Sequence, residues 1–282
     1  MPNWSVTLPD NGTAASPHFS LIDDIAQELS GDVNFPTCMS AAALIRDALR
    51  DPEADLLTVA QALSHEPLVA SRLMRLANAA LYNPGGQPVR DLGNAIGRLG
   101  LNIVRTASLS VVLDQMLRTR ELADWQPEAH ALWERAIHVA AIARVLAQRL
   151  GRANPDEAML SGLVHNLGAF YLLYRACQHP DYASTPERMA CLLNTWQIEI
   201  GENLLAHLGL PESIVHAVAT QRLACTANQP CSVRDILHFA VLLAGDDATL
   251  SPEECAERAP FLDLIRDAHE AIEEARHLLD TN

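Results

Sequence analysis

Lysine does not occur in this 282-residue sequence. All 20 basic residues are arginine, and they face 35 acidic residues for a net charge of −15. That absence removes the phosphate-binding loop G-x-x-x-x-G-K-[ST], which needs a lysine. Scattered arginine on an acidic chain also lacks the clustered positive charge that nucleic acid or an anionic lipid surface requires, so neither is expected as a partner. None of the six cysteines (38, 177, 191, 225, 231 and 255) forms a C-x-x-C pair, which leaves a cysteine zinc site without support. Free thiols in a reducing cytoplasm are the plain expectation. No stretch of about 18 uncharged apolar residues marks a membrane span. The opening "MPNWSVTLPDNGTAASP" lacks a basic segment followed by an apolar one, so no secretory signal is expected. There is no G-x-S-x-G in a strand–turn–helix setting. Alternating apolar and polar runs, the mark of half-buried strands, are nearly missing as well.

Helical spacing fills the chain instead. In "DLLTVAQALS", Asp55 is placed to cap, and Leu56, Val59, Ala60 and Leu63 share one face. Pro67 opens the next helix, "NPGGQP" (83–88) breaks the pattern, and Gly100 ends the segment "VRDLGNAIGRLG". The periodicity lapses between residues 119 and 128, where Pro127 intervenes, and an internal boundary is placed there. A second helical set follows. Trp133, Ile137, Ala141 and Val145 recur every four residues before Gly151. Asn154 and Pro155 then open one long helix through "MLSGLVHNLGAFYLLYRA", apolar on every side and therefore buried. Helices are also expected over 186–209, 211–224 and 232–245, and in an acidic tail after Ser251 broken at Pro260. The fold class is all-α, and 49% apolar residues suffice for a substantial core.

Chemistry is sparse. Histidines 138, 165, 207, 216 and 238 fall on second-half helices and could converge. A metal ion wants neutral imidazole together with carboxylate oxygens. In "GLVHNLG" (162–168), however, His165 is followed by Asn166, whose amide oxygen is a weaker donor than a carboxylate. His165 therefore reads as a core histidine, bonded through its ring nitrogens. Arg135 and His138 lie one turn apart on a helix and can be neighbours. Arg135 is either a solvated surface residue or a fixed positive charge that opposes a metal and favours an anion. Trp125, Trp133 and Trp196 read as core residues.

In order and spacing, several stretches match a family. "FPTCMSAAALIRDAL" (35–49), "VAQALSHEPLVASRLMRLANAALY" (59–82), "VRDLGNAIGRLGLNIVRTASL" (89–109), "LWERAIHVAAIARVLA" (132–147), "GLVHNLG" and "IGENLLAHLGLPESIVHAVATQ" (200–221) together resemble the HDOD family. These are bacterial signalling modules related to the HD phosphohydrolases. The resemblance implies an N-terminal helical subdomain (about 31–120) packed on an HD-like helical core (about 128–245). An N-terminal extension (1–30) and an acidic helical C-terminal extension (246–282) flank this 31–245 domain. Active HD enzymes hold metal ions with His and Asp side chains to activate water. Carried over by residue, the first histidine falls at Arg135, or one turn on at His138. The doublet falls at His165 and Asn166, and the late aspartate near Val241.

This pattern implies no catalytic residue, metal or other cofactor. The expected function is a non-catalytic, cytoplasmic signalling module that contacts other signalling proteins, with a homodimer as a further candidate and residues 1–30 and the acidic tail as candidate contact or dimer elements. One alternative is a residual metal-dependent phosphohydrolase of nucleotides or cyclic dinucleotides. It would need His138, His165, His207 or His238 to meet an acid such as Glu134 or Glu202. Another is a sensor that holds a small anion or nucleotide near Arg135.

Overall fold

The computed structural model describes residues 21–22, 24–25, 47, 56–150, 152–223, 230–245 and 250–279. The chain falls into two compact units, Met1–Val33 and Asn34–Asn282. Most of the 35–49 segment, the proposed cap Asp55 and the proposed stop Gly151 lie outside the described residues, as does nearly all of the 1–30 extension. Among the described residues there is no strand.

Within the larger unit, α1 (Leu56–Ser64) and α2 (Pro67–Asn78) pack on α3 (Leu92–Leu117). Val59, Ala60 and Leu63 are buried on α1, the face that the spacing picks out. Pro67 stands in the first turn of α2. Gly100 breaks α3 with a φ of 75°, a left-handed value that favours glycine. By length and composition α3 could cross a membrane, yet 67% of its apolar window is buried inside the protein, as in a core helix. The lapse at 119–128 is a 3₁₀ turn, Arg120–Trp125. It leads into α4 (Gln126–Leu150), which carries Pro127 in its first turn. Trp125 and Trp133 are buried, while Trp196 is only half-buried.

The expected long helix after Asn154 is two helices, α5 (Pro155–Val164) and α6 (Leu167–Ala176). Asn154 caps α5 as the sequence implies, accepting from the N–H groups of Asp156 and Glu157. The break falls at His165–Asn166 for a tertiary reason. The His165 carbonyl accepts from Nε2 of Gln221 at 2.9 Å, and the Ala169 N–H turns to the Asn166 carbonyl at 3.0 Å. A ladder bond of a continuous helix is thus exchanged for a contact with a residue far along the chain. Both glycines of "GLVHNLG" let helices meet backbone to backbone. A Cβ on Gly162 would lie 2.5 Å from the Cα of Ala140 on α4, and one on Gly168 would strike the carbonyl oxygen of Gln197.

A short α7 (Pro180–Ala183) leads to α8 (Pro186–His207), which packs on α6. The helices α9 (Glu212–Ala219) and α10 (Val233–Leu243) complete this half. The tail forms α11 (Pro252–Arg258), a 3₁₀ turn containing Pro260, α12 (Leu262–Asp267) and α13 (His269–Leu279). It folds back on its own chain. Ala268, Ile272, Ala275 and Leu279 are buried, α13 lies on α4, and Arg258 donates to the Leu242 and Gly245 carbonyls at the end of α10. The apolar face of the expected contact element is therefore already covered, and its acidic face remains outside.

Candidate functional site

One recess of about 210 Å³ gathers residues from five places in the chain. From α4 come Leu132 and Arg135, from the α5–α6 break His165 and Asn166, and from α8 Gln197 and Ile198. Gln221, Arg222 and Val241 close it. Four of the five positions carried over by resemblance (Arg135, His165, Asn166 and Val241) thus meet here. His138 does not. One turn further along α4, it is half-buried near Arg276 and Glu273 of α13, and its Nδ1 is buried without a hydrogen-bond partner. Its pKa is lowered, first by burial and then by the Arg276 guanidinium.

His165 is 6% exposed. Its Nδ1 lies 2.7 Å from the Gly162 carbonyl oxygen, which can only accept, so Nδ1 carries the hydrogen. Among the described residues, only one of the two expected ring bonds forms. In the neutral ring Nε2 keeps its lone pair. Burial pulls the pKa down to about 4, against the raising effect of the Gly162 bond, and the Arg135 charge lowers it further. His165 is therefore a neutral acceptor near neutral pH. Asn166 donates from Nδ2 to the Leu132 carbonyl at 2.8 Å and ties the break to α4, while its Oδ1 is buried with no partner. An amide fits that place because it can donate to a carbonyl, as an ionised aspartate could not.

Sequence reasoning does not find Gln197, Gln221 and Arg222. Gln221 is 6% exposed and binds both histidine-bearing segments. Its Nε2 donates to the His165 and Val218 carbonyls, and its own carbonyl accepts from Nδ1 of His238 at 3.1 Å. Arg222 is held by a bond to the Asn194 carbonyl at 3.1 Å. The signal available in sequence was slight: Gln221 is the last residue of the last stretch that resembles the family, and Arg222 follows it.

The donor set does not fit a metal ion. Among the described residues no Asp or Glu lines the recess, two arginines do, and His165 offers one imidazole nitrogen. The acids named for a residual enzyme stand elsewhere. Glu134 is exposed and pairs with Arg276 at 2.9 Å, and Glu202 is exposed on α8. His207 bonds within its own helix to the Asn203 carbonyl, and His238 is held between Gln221 and Glu257. Among the described residues, no group of three or more His, Cys, Asp or Glu side chains could hold a metal ion.

Comparison with known proteins settles the family. The model of the HDOD domain matches residues 35–223, well over half of the chain. The chain belongs to the HDOD family. Its fold is similar to that of a candidate metal-dependent phosphohydrolase from Shewanella amazonensis SB2B, with a TM-score of 0.71 and 23% identity over 94% of this chain and 98% of that one. An HDOD domain protein of unknown function from Geobacter sulfurreducens follows at 0.58 and 18%, covering 94% and 97%. A candidate signal transduction protein from Marinobacter aquaeolei VT8 follows at 0.54 and 17%, covering 94% and 66%. These structural similarities show the HD-like helical fold. In sequence, the chain is 22% identical over 195 residues to an uncharacterised protein of Treponema pallidum (strain Nichols). The match takes in 66% of this chain and 37% of that much longer protein.

Proposed function

We propose that this HDOD protein is a non-catalytic regulatory module of cytoplasmic signal transduction that acts by contact with other proteins. Family membership and a structural neighbour described in signalling terms support the regulatory role. One observation carries the non-catalytic part. The recess where the resemblance puts metal ligands is lined by Arg135 and Arg222 and by a neutral His165, with no carboxylate among the described residues. A permanent guanidinium repels a divalent cation, and without a metal there is no lowered-pKa water to attack a phosphate ester. We place the boundary of the helical subdomain and the HD-like core at the 3₁₀ turn Arg120–Trp125, with the tail after residue 245 bracing the core.

The test is elemental analysis of the purified chain, with hydrolysis assays on nucleotides and cyclic dinucleotides in Mn²⁺ or Mg²⁺. The expected result is metal far below one ion per chain, and background hydrolysis equal in the parent and in His165→Ala. About one tightly held transition metal per chain, or turnover lost with His165, overturns the reading.

A further inference from the structure

The chemistry that turns a metal away suits another occupant. Arg135 and Arg222 line the recess, and no Asp or Glu is among its described lining residues, in a chain whose net charge is −15. Each guanidinium carries five N–H donors, so it can hold a protein partner and a ligand oxygen together. Leu132, Ile198 and Val241 give apolar walls, which lower the local dielectric and strengthen a charge contact. The Asn166 Nδ2 already donates to Leu132, and the Gln221 Nε2 to His165 and Val218. His165 adds the opposite requirement. With Nδ1 donating to Gly162, its Nε2 is an acceptor that needs a donor. A volume of about 210 Å³ equals that of roughly seven waters, which is room for a small molecule.

We propose that the recess binds a small oxyanion that brings its own O–H, hydrogen phosphate or a singly protonated phosphomonoester, with its ionised oxygens on Arg135 and Arg222 and its O–H donated to Nε2 of His165. Burial keeps the imidazole neutral, so the shared proton comes from the ligand. Sulfate has the charge but no proton, and a carboxylate or phosphodiester likewise has none to give. The site therefore selects by proton count as well as charge. This rests on the reading that the recess holds no metal.

The experiment is isothermal titration of the full chain after chelation, at about pH 6.5, near the second phosphate pKa. The probes are inorganic phosphate, a nucleoside 5′-monophosphate, and sulfate as the proton-free control. One phosphate probe should saturate, and sulfate should bind about tenfold more weakly or worse, since a lone pair is left facing a lone pair. Arg135→Gln and Arg222→Gln should each weaken binding by about tenfold, with unchanged thermal melts because both residues are exposed. Arg90→Gln, at a different recess, should bind like the parent. Tighter binding of inorganic phosphate assigns the free ion, and tighter binding of the monophosphate assigns the ester. Either outcome upholds the site. The proposal is overturned if neither phosphate probe saturates, if sulfate binds as tightly, or if both arginine variants match the parent. Metal content is measured before chelation, so failure of the non-catalytic reading is read separately from failure of anion binding.

Discussion

His165 and His238 are buried alike, 6% and 5% exposed, on segments that wall the same recess, yet they are held in opposite ways. Gln221 joins them, giving its side-chain N–H to the carbonyl of one and taking the ring N–H of the other. Past that link they part. His165 lines a recess together with two arginines. His238 points its second nitrogen at a carboxylate, Glu257, 3.1 Å away. Both nitrogens of His238 face acceptors. Exposure is the same in the two places, so the partners of each ring set its role. Burial, with Arg135 adding to it, keeps His165 a neutral acceptor, and between a carbonyl and a carboxylate His238 is a brace that ties α10 to α11.

The largest disturbance moves the wall behind His165 and touches neither histidine. In Gly168→Ala, the added Cβ would strike the Gln197 carbonyl oxygen and lie 2.5 Å from the Gly201 nitrogen. These are backbone atoms of α8, so no flexible side chain can swing aside. The helices must separate, at a cost of about 3 kcal/mol or more in urea unfolding. A loss under about 1 kcal/mol would show that the two helices are not in close contact there.

That glycine marks where the sequence was legible and where it was not. Periodicity and caps give the helices from Leu56 onward, because burial on one face and capping at Asn154 are local properties. The break at His165–Asn166 is not local. It depends on Gln221, 56 residues away, so a run of apolar helix formers reads through it. The choice between Arg135 and His138 was open for the same reason. They stand one turn apart, and α13, nearly 140 residues later, packs where His138 points. Arg222 was hidden because an exposed arginine on an acidic chain has no pattern to betray it.

Deleting each ring tests the comparison directly. His238→Ala removes the donor from the Gln221 carbonyl and from Glu257 in one step, and should cost about 3 kcal/mol. His165→Ala removes one bond to Gly162 and widens a recess that water can enter, so its cost should be about 1 kcal/mol. Paired thermal melts read the difference. Equal losses would mean that the second partner of His238 adds nothing over a single bond.

Proton uptake separates the two sides further. The folded-state pKa of His165 is about 4, below the ordinary 6.5. Between those values the unfolded chain binds a proton that the folded chain refuses. Stability is therefore complete above about pH 6.5, falls as the pH drops toward 4, and levels off below. The span corresponds to at most about 3 kcal/mol. His138 acts in the same direction, since burial and Arg276 also lower its pKa. The measurement is therefore the difference between the parent and His165→Gln, whose stability profile should be flatter across that window. Parallel profiles would mean that the ring is not desolvated.

The smallest effect lies outside both clusters. Glu134 and Arg276 join α4 to α13 at 2.9 Å, and the glutamate side chain is 60% exposed. Water and salt screen such a pair, and ordering two long side chains offsets much of the attraction. Glu134→Gln should shift stability by less than about 0.5 kcal/mol, because the tail is held by buried Ile272, Ala275 and Leu279 and by Arg258 on the end of α10. If Glu134→Gln cost as much as His238→Ala, charge at the surface would be holding the tail. The contrast between the two histidines would then be secondary to it.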